Sequence, residues 1–349
     1  MRIVVNDIAA STGGALTVLK DFYNCVKKND RENEWIFLLG DHLLEETDNI
    51  KIRVLKDVKQ SGLKKLMFDF FTGKKYIRNL NPDVVVSLQN IITFGLKIPQ
   101  ILYVHQSIPF QKTKRFSFLK ATERKLAVYQ YLIGMIIKWS VKKSHKVIVQ
   151  TEWIRKAICE TCKLPPQKVI QITPNVKEVT VPIRIKDFQK NQFFYPTSDD
   201  VYKNNALVYE ASSLLAKQKK EHTIRMTLPA EKSQRNVQCI GRISYEQVLE
   251  QYAVGTLVFP SYIESFGYPL AEARMIGAVV LASDTPFSRE VLVGYENAYF
   301  FNPFKADELA MLMSRVISGE IERRPISHEQ EERSDSWLMM LEQIYLIGV

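Results

Sequence analysis

Short apolar runs and helix-spaced apolar positions alternate along most of the chain. The runs at residues 2–6, 34–39, 50–55, 83–88, 100–105 and 146–150 are rich in β-branched and aromatic residues, and several are unbroken, as strands covered on both faces should be. Helical spacing fills 14–28 and 118–143, and this strand-and-helix order predicts a parallel sheet with crossover helices. After residues 172–176 a polar, proline-containing stretch runs to about Gln189, and the pattern restarts. Further strands are expected at 192–195, 222–227, 237–240, 256–259 and 279–282. The fold class is therefore α/β, with two Rossmann-like, doubly wound domains at 1–175 and 176–334 joined near Pro174 and facing each other across a cleft at the carboxyl ends of their strands. No internal repeat interrupts this reading. The closing segment from Asp335 has helical periodicity of its own.

Composition narrows the classes without changing that picture. A chain of 349 residues, 46% hydrophobic, can bury two ordinary cores, which excludes disorder as its main state. Cys25, Cys159, Cys162 and Cys239 are too few and scattered for a disulfide scaffold and suit a reducing compartment. The lone C-x-x-C at Cys159 and Cys162 lacks a second pair or a nearby histidine, so no metal is expected. The first apolar run meets Asn6 and Asp7 at once and reads as a strand rather than a signal peptide. The longest apolar stretch, around 126–137, carries Gln130 and falls short of the roughly 20 residues needed to span a bilayer. A cytoplasmic protein is expected.

The net charge of +10 is concentrated. From Lys112 to Lys146 ten lysines and arginines face a single acid, Glu123, which nearly accounts for the whole excess.

The chemistry centres on Pro260-Ser261-Tyr262-Ile263-Glu264-Ser265-Phe266-Gly267-Tyr268-Pro269-Leu270-Ala271-Glu272-Ala273. This segment follows an apolar strand and enters a helix with Pro269 in its first turn. Backbone N–H groups at such a helix start can meet an anion, and Gly267 permits close approach of a phosphate. Glu264 in the loop and Glu272 one turn into the helix are good acceptors for sugar hydroxyls.

With these residues the sequence resembles the retaining glycosyltransferases of family 4 (group 1), including bacterial capsular and surface polysaccharide enzymes, which have the GT-B fold. The resemblance is densest from about 237 to 316, where Ile240-Gly241-Arg242-Ile243, the E-x7-E segment, Gly277-Ala278-Val279-Val280-Leu281-Ala282-Ser283-Asp284 and Phe301-Asn302-Pro303 recur in family order. It implies a donor-binding domain at 176–334 and an acceptor-binding domain at 1–175, with a final helix at about 335–349 crossing back to the first domain. Glu264 would bind hydroxyls of the donor sugar and Glu272 the ribose, while the backbone of Ser265, Phe266, Gly267 and Tyr268 would meet the diphosphate or the transferred sugar. Arg242 and Ile243 would border the base. The family's usual arginine after the first strand of the second domain is missing here, leaving Lys203 as the main cation on the leaving group, helped by a hydroxyl of Thr197 or Ser198.

In the first domain the Gly13-Gly14 loop resembles the family's glycine-rich loop, which borders the junction of donor and acceptor. His105 ends a strand and matches the histidine that contacts the transferred sugar. Glu264, Lys203 and His105 are thus expected to carry the reaction, with nucleotide diphosphate sugar as donor substrate and no cofactor. The resemblance implies transfer with retention, and because no residue stands out as a double-displacement nucleophile a front-face, metal-independent route is expected. The basic stretch from Lys112 to Lys146, interleaved with aromatics, predicts peripheral attachment to the anionic inner face of the cell membrane, near a lipid-linked saccharide acceptor. Two other readings share some of these features. A nucleotide-sugar 2-epimerase has the same architecture, and the basic charge suits a nucleic-acid binder. Neither accounts for the E-x7-E segment, and no nucleic-acid recognition motif is present.

Overall fold

The computed structural model describes residues 1–11, 13–176, 188–325 and 335–348. It divides the chain into two compact units, one of Met1–Asn175 with Glu332–Val349 and one of Val176–Glu331. The polar stretch at 177–187 and the boundary at 334 lie outside the described residues.

The first unit is built on β1 (Arg2–Asp7), β2 (Glu34–Leu39), β3 (Ile50–Val54), β4 (Val84–Ser87), β5 (Gln100–Val104), β6 (Lys146–Val149) and β7 (Val169–Gln171). They pair in the order β3-β2-β1-β4-β5-β6-β7, parallel throughout. Alternation sends Ile3, Val5, Ile101, Tyr103 and Ile148 to one face and Val4, Val85, Leu102, Val104 and Val147 to the other. Helix Gly13–Asn29 and the closing helix Ser336–Gly348 cover the first face. Trp337 of that last helix sits 5.7 Å from the Phe22 ring and 6.0 Å from Tyr103, so the end of the chain completes the core of the first unit.

The second unit contains β8 (Gln192–Tyr195), β9 (Thr223–Met226), β10 (Val237–Cys239), β11 (Thr256–Phe259), β12 (Val280–Ser283) and β13 (Ala298–Phe301), again all parallel, ordered β10-β9-β8-β11-β12-β13. Buried Arg323 donates to the carbonyls of Ala253, Ile276 and Gly277, closing the last turns of helices Tyr245–Val254 and Tyr268–Ile276.

Strand order reverses once in each sheet, between β1 and β4 and between β8 and β11. Loops leaving the carboxyl ends of those strands diverge to opposite sides and leave a crevice, the place where doubly wound sheets hold ligands.

Three features depart from the sequence reading. Strands β7 and β13 are additional, and the helix expected at 118–143 begins only at Arg124. Its intended first turns are used otherwise. Buried Glu123 accepts from the Ser117 N–H at 3.0 Å and pairs with Lys114 at 3.1 Å, while Gln130 binds both the Phe116 N–H and the Lys114 carbonyl. These bonds fold 111–123 into turns.

Candidate functional site

Lys203 and Glu264, 61 residues apart in sequence, meet at the switch point of the second sheet, with the ammonium 2.6 Å from Glu264 Oε1. Both side chains are largely sheltered, 18% and 17% exposed. The Ser261 hydroxyl donates to the same oxygen at 2.7 Å, which orients the carboxylate before any ligand arrives.

The backbone beneath Lys203 is held as firmly. Tyr195, the last residue of β8, donates its hydroxyl to the Lys203 carbonyl at 2.7 Å. The Tyr262 N–H donates to the Tyr202 carbonyl at 3.1 Å. Asn204 takes a left-handed φ of 60°, which asparagine tolerates, and its amide donates to the carbonyls of Pro260 and Pro303. Asn204 therefore pins the lysine loop to the end of β11 and to the Asn302-Pro303 turn. The Lys203-Asn204 pair was visible in the sequence, but only the fold shows that the asparagine is the anchor.

Gly267 has φ 91° at the start of helix Tyr268–Ile276, a conformation that itself requires glycine. Phe266 is buried, and its ring packs edge-on against Tyr268 at 5.2 Å, so any contact of Phe266 with a ligand falls to its backbone. Glu272 lies one turn into the helix and accepts the hydroxyl of buried Tyr252 at 3.3 Å. Burial, reinforced by that carboxylate, drives the Tyr252 hydroxyl far above the usual tyrosine range, so it stays a donor. Arg242 is exposed and Ile243 half-buried, both just after Gly241 with its φ of 70° and before helix Tyr245–Val254 with its Ser244 capping box. The loop after β8 is tied to itself: Thr197 Oγ1 donates to Asn205 Oδ1, Ser198 Oγ to Asp200, and Asp199 pairs with Lys232. Asp199 and Asp200 precede a short 3-10 turn, Val201–Lys203, instead of an α-helix.

In the first unit, His105 follows β5 at its carboxyl end. Asn90, at φ 66°, accepts the His105 and Gln106 N–H groups on its Oδ1, which turns its NH2 toward His105 Nε2 at 3.0 Å. Nε2 must then accept, and the ring proton belongs on Nδ1, which is sealed from solvent and has no partner among the described residues. Burial pushes the imidazole down to about 4, so it is neutral at physiological pH. Gly13 and Gly14 open helix Gly13–Asn29, and a Cβ on Gly14 would meet nothing within 4 Å. Neither packing nor backbone angle demands a glycine at Gly14. Asp7, which ends β1, was not among the expected site residues. It is almost fully buried, one carboxylate oxygen has no partner among the described residues, and burial raises it to about 7 although Lys65 and Lys59 pull it down. Lys59 in turn donates to the Ala10 carbonyl at 3.0 Å, tethering the loop that leads to Gly13.

The stretch from Lys112 to Lys146 splits between core and surface. Phe116 and Ile137 are buried, whereas Phe118, Leu119, Tyr131, Leu132 and Trp139 are exposed. Cys162 is buried, Cys159 half-buried, and among the described residues no group of three or more His, Cys, Asp or Glu could hold a metal ion. No helix among them is long and apolar enough to cross a membrane. A cavity of about 600 Å3 lined by Met1, Asn29, Asp30, Asn33 and Tyr345 lies at the amino-terminal edge of the first sheet.

Residues 12–176 match the family model for Glycosyltransferase Family 4, and residues 189–333 match the model for glycosyl transferases group 1. No curated protein matches the chain in sequence. Among solved structures it is similar to the lipopolysaccharide outer core galactosyltransferase WaaB in its apo form, at 18% identity and a TM-score of 0.67 over 99% of both chains. WaaG, a glycosyltransferase involved in lipopolysaccharide biosynthesis, aligns at 13% identity and a TM-score of 0.70 over 98% of this chain and 99% of its own. Anabaena Alr3699/HepE in complex with UDP-glucose aligns at 16% and 0.64 over 100% of this chain and 97% of its own. At such identities these structures establish the shared fold.

Proposed function

The chain belongs to the GT-B glycosyltransferases of group 1 and family 4, acting on nucleotide-sugar donors, and we propose that it transfers the sugar with retention to a lipid-linked saccharide in bacterial surface or capsular polysaccharide assembly. The observation that carries the site assignment is the Lys203–Glu264 pair at the switch point of the second unit. In the proposed complex Lys203 turns to the diphosphate, Glu264 takes hydroxyls of the transferred sugar, and Glu272 takes the ribose. Arg242 and Ile243 border the base, and the backbone from Ser265 to Tyr268 faces the diphosphate or sugar.

On a front-face route the leaving diphosphate oxygen accepts the proton of the acceptor hydroxyl as the glycosidic bond breaks. Lys203 and the helix-start amides stabilise the charge that develops there. His105, held neutral by burial, is assigned to the transferred sugar, and Gly14, where a Cβ would meet nothing within 4 Å, to the space beside the sugar and acceptor. The lipopolysaccharide roles of WaaB and WaaG support the polysaccharide context. The basic stretch from Lys112 to Lys146 would hold the first unit on the inner membrane face, within reach of a lipid-linked acceptor.

The test begins with a panel of nucleotide sugars in thermal shift, followed by transfer to lipid-linked acceptors and NMR assignment of the new anomeric linkage. A product with the donor's anomeric configuration is expected. Net inversion would remove the mechanism, and epimerised nucleotide sugar from donor alone would replace transfer with another reaction.

A further inference from the structure

Two helical segments of the first unit each carry a second apolar face that is exposed among the described residues. Leu63, Met67 and Phe71 repeat every fourth residue along Gly62–Met67 and its π-helical continuation Phe68–Thr72, with Leu63 70% and Phe71 67% exposed. Leu132, Met135 and Trp139 repeat at three and four residues across Val128–Ile133 and Gly134–Lys143, with Met135 63% exposed. These are not misplaced core residues. The inward faces are supplied separately, by Phe68 and Ile77 for the one and by Ile137 and Val141 for the other.

The two exposed stripes adjoin. Phe70 stacks on Phe94 at 4.4 Å, Phe94 lies 4.5 Å from Trp139, and Phe70 lies 5.9 Å from Trp139, so a three-ring seam joins the helices. Each stripe runs, one turn further on, into a pair of exposed lysines, Lys74 with Lys75 and Lys142 with Lys143. The sequence reading saw the second of these segments and gave the first no part.

We propose that both stripes together form a wedge that enters the headgroup and upper acyl region of an anionic bilayer, so that apolar burial adds to charge in holding the first unit on the membrane. This rests on the membrane attachment proposed above and adds to it the segment 62–75. Charge decides the occupant. A second copy pressed on the same face would set lysine pairs against lysine pairs, whereas an anionic leaflet offers phosphates to the lysines and hydrocarbon to the stripes at once.

The full chain is tested against vesicles of equimolar phosphatidylcholine and phosphatidylglycerol, with and without brominated acyl chains. Trp139 is a built-in reporter, and Trp139→Phe identifies its share of the fluorescence. Wild type should sediment with the vesicles and show Trp139 quenching by bromine. Leu63→Ser/Met67→Ser/Phe71→Ser, which alters only exposed side chains and should keep the wild-type melting temperature, should bind at least about 30-fold more weakly and lose the quenching. If wild type fails to sediment even at low salt, membrane attachment itself is lost. If wild type sediments but the triple variant sediments equally and Trp139 is not quenched, attachment by charge stands and the wedge is wrong. If wild type is a dimer in solution and the triple variant a monomer, the face is a self-interface and the wedge is likewise overturned.

Discussion

Lys203→Ala separates two contributions of one side chain. The first is structural. A charge-assisted hydrogen bond of 2.6 Å between side chains less than one-fifth exposed is removed, and Glu264 keeps only the Ser261 hydroxyl as its described partner. Such a loss costs about 1.5–3 kcal/mol, which for a unit of this size lowers the melting temperature by roughly 3–12 °C. The second is catalytic. If Lys203 grips the leaving diphosphate, its removal should lower turnover by about 10²–10³-fold, the usual effect of deleting one preorganised electrostatic group. Glu264→Ala and the double variant tell the two apart, since contacting residues are not additive. Were Lys203 only a prop for Glu264, the double variant would be no slower than Glu264→Ala. If Lys203 also meets the diphosphate, the double variant should be slower again, by most of the factor seen for Lys203→Ala alone. Release of nucleoside diphosphate, followed under saturating donor, reads turnover directly. A Lys203→Ala enzyme within tenfold of wild type, with unchanged donor affinity, would refute the reasoning and show that another group neutralises the diphosphate.

Glu272→Ala should raise KM for the donor far more than it lowers kcat, and removing the acceptor of the buried Tyr252 hydroxyl should also cost about 1–3 kcal/mol of stability, visible in urea titrations. Asp7→Asn concerns pH. The folded carboxyl is raised from its ordinary 3.8 to about 7, so the folded chain holds that proton more tightly, and the stability this gives is full below about pH 4 and lost as pH rises through 7. The asparagine variant should therefore gain on wild type between pH 5 and pH 8, by about 3 kcal/mol, and a constant difference in melting temperature over that range would contradict the assignment. Trp337→Ala should destabilise the first unit by about 3–5 kcal/mol because the ring lies buried among Phe22 and Tyr103, and a loss under about 1 kcal/mol in chemical denaturation would place the closing helix outside that core.

Both parallel sheets were legible because their central strands are unbroken apolar runs, a signal produced by burial on two faces. Strands β7 and β13 were not, and both are edges. Val169–Gln171 is three residues long, and in Ala298–Phe301 only Phe301 is fully buried, so neither carries the pattern of a covered strand. The start of the helix at Arg124 was hidden for a different reason. Gln130 looked like a polar blemish in an apolar run, yet it is the residue that holds the preceding loop through two backbone contacts. Within the site, local sequence could mark Glu264 and Gly267, since their chemistry is carried by one strand-loop-helix unit. It could not show that Asn204, Tyr195 and Ser261 hold Lys203 in place, because those bonds join residues that only the sheet order brings together. Asp7 was passed over as the polar end of a strand, where a solvated carboxylate is the ordinary expectation and burial is visible only in three dimensions.

The arginine missing after β8 now has a structural consequence. Its place is taken by Pro196-Thr197-Ser198, a loop whose polar groups are spent on Asn205, Asp200 and the mutual bonds of Thr197 with Thr227. Lys232 is held by Asp199. The loop is thus closed on itself and offers no cation. Lys203 is left facing two anions in turn, Glu264 in the free enzyme and, under the proposed assignment, the diphosphate in the complex. An ammonium already bonded at 2.6 Å must give up part of that interaction when donor binds, and Glu264 must find a sugar hydroxyl in exchange. A nucleoside diphosphate without a sugar cannot supply that hydroxyl. Under that assignment the pair would couple recognition of the sugar to capture of the leaving group, since each half of the donor would release the residue that the other half needs.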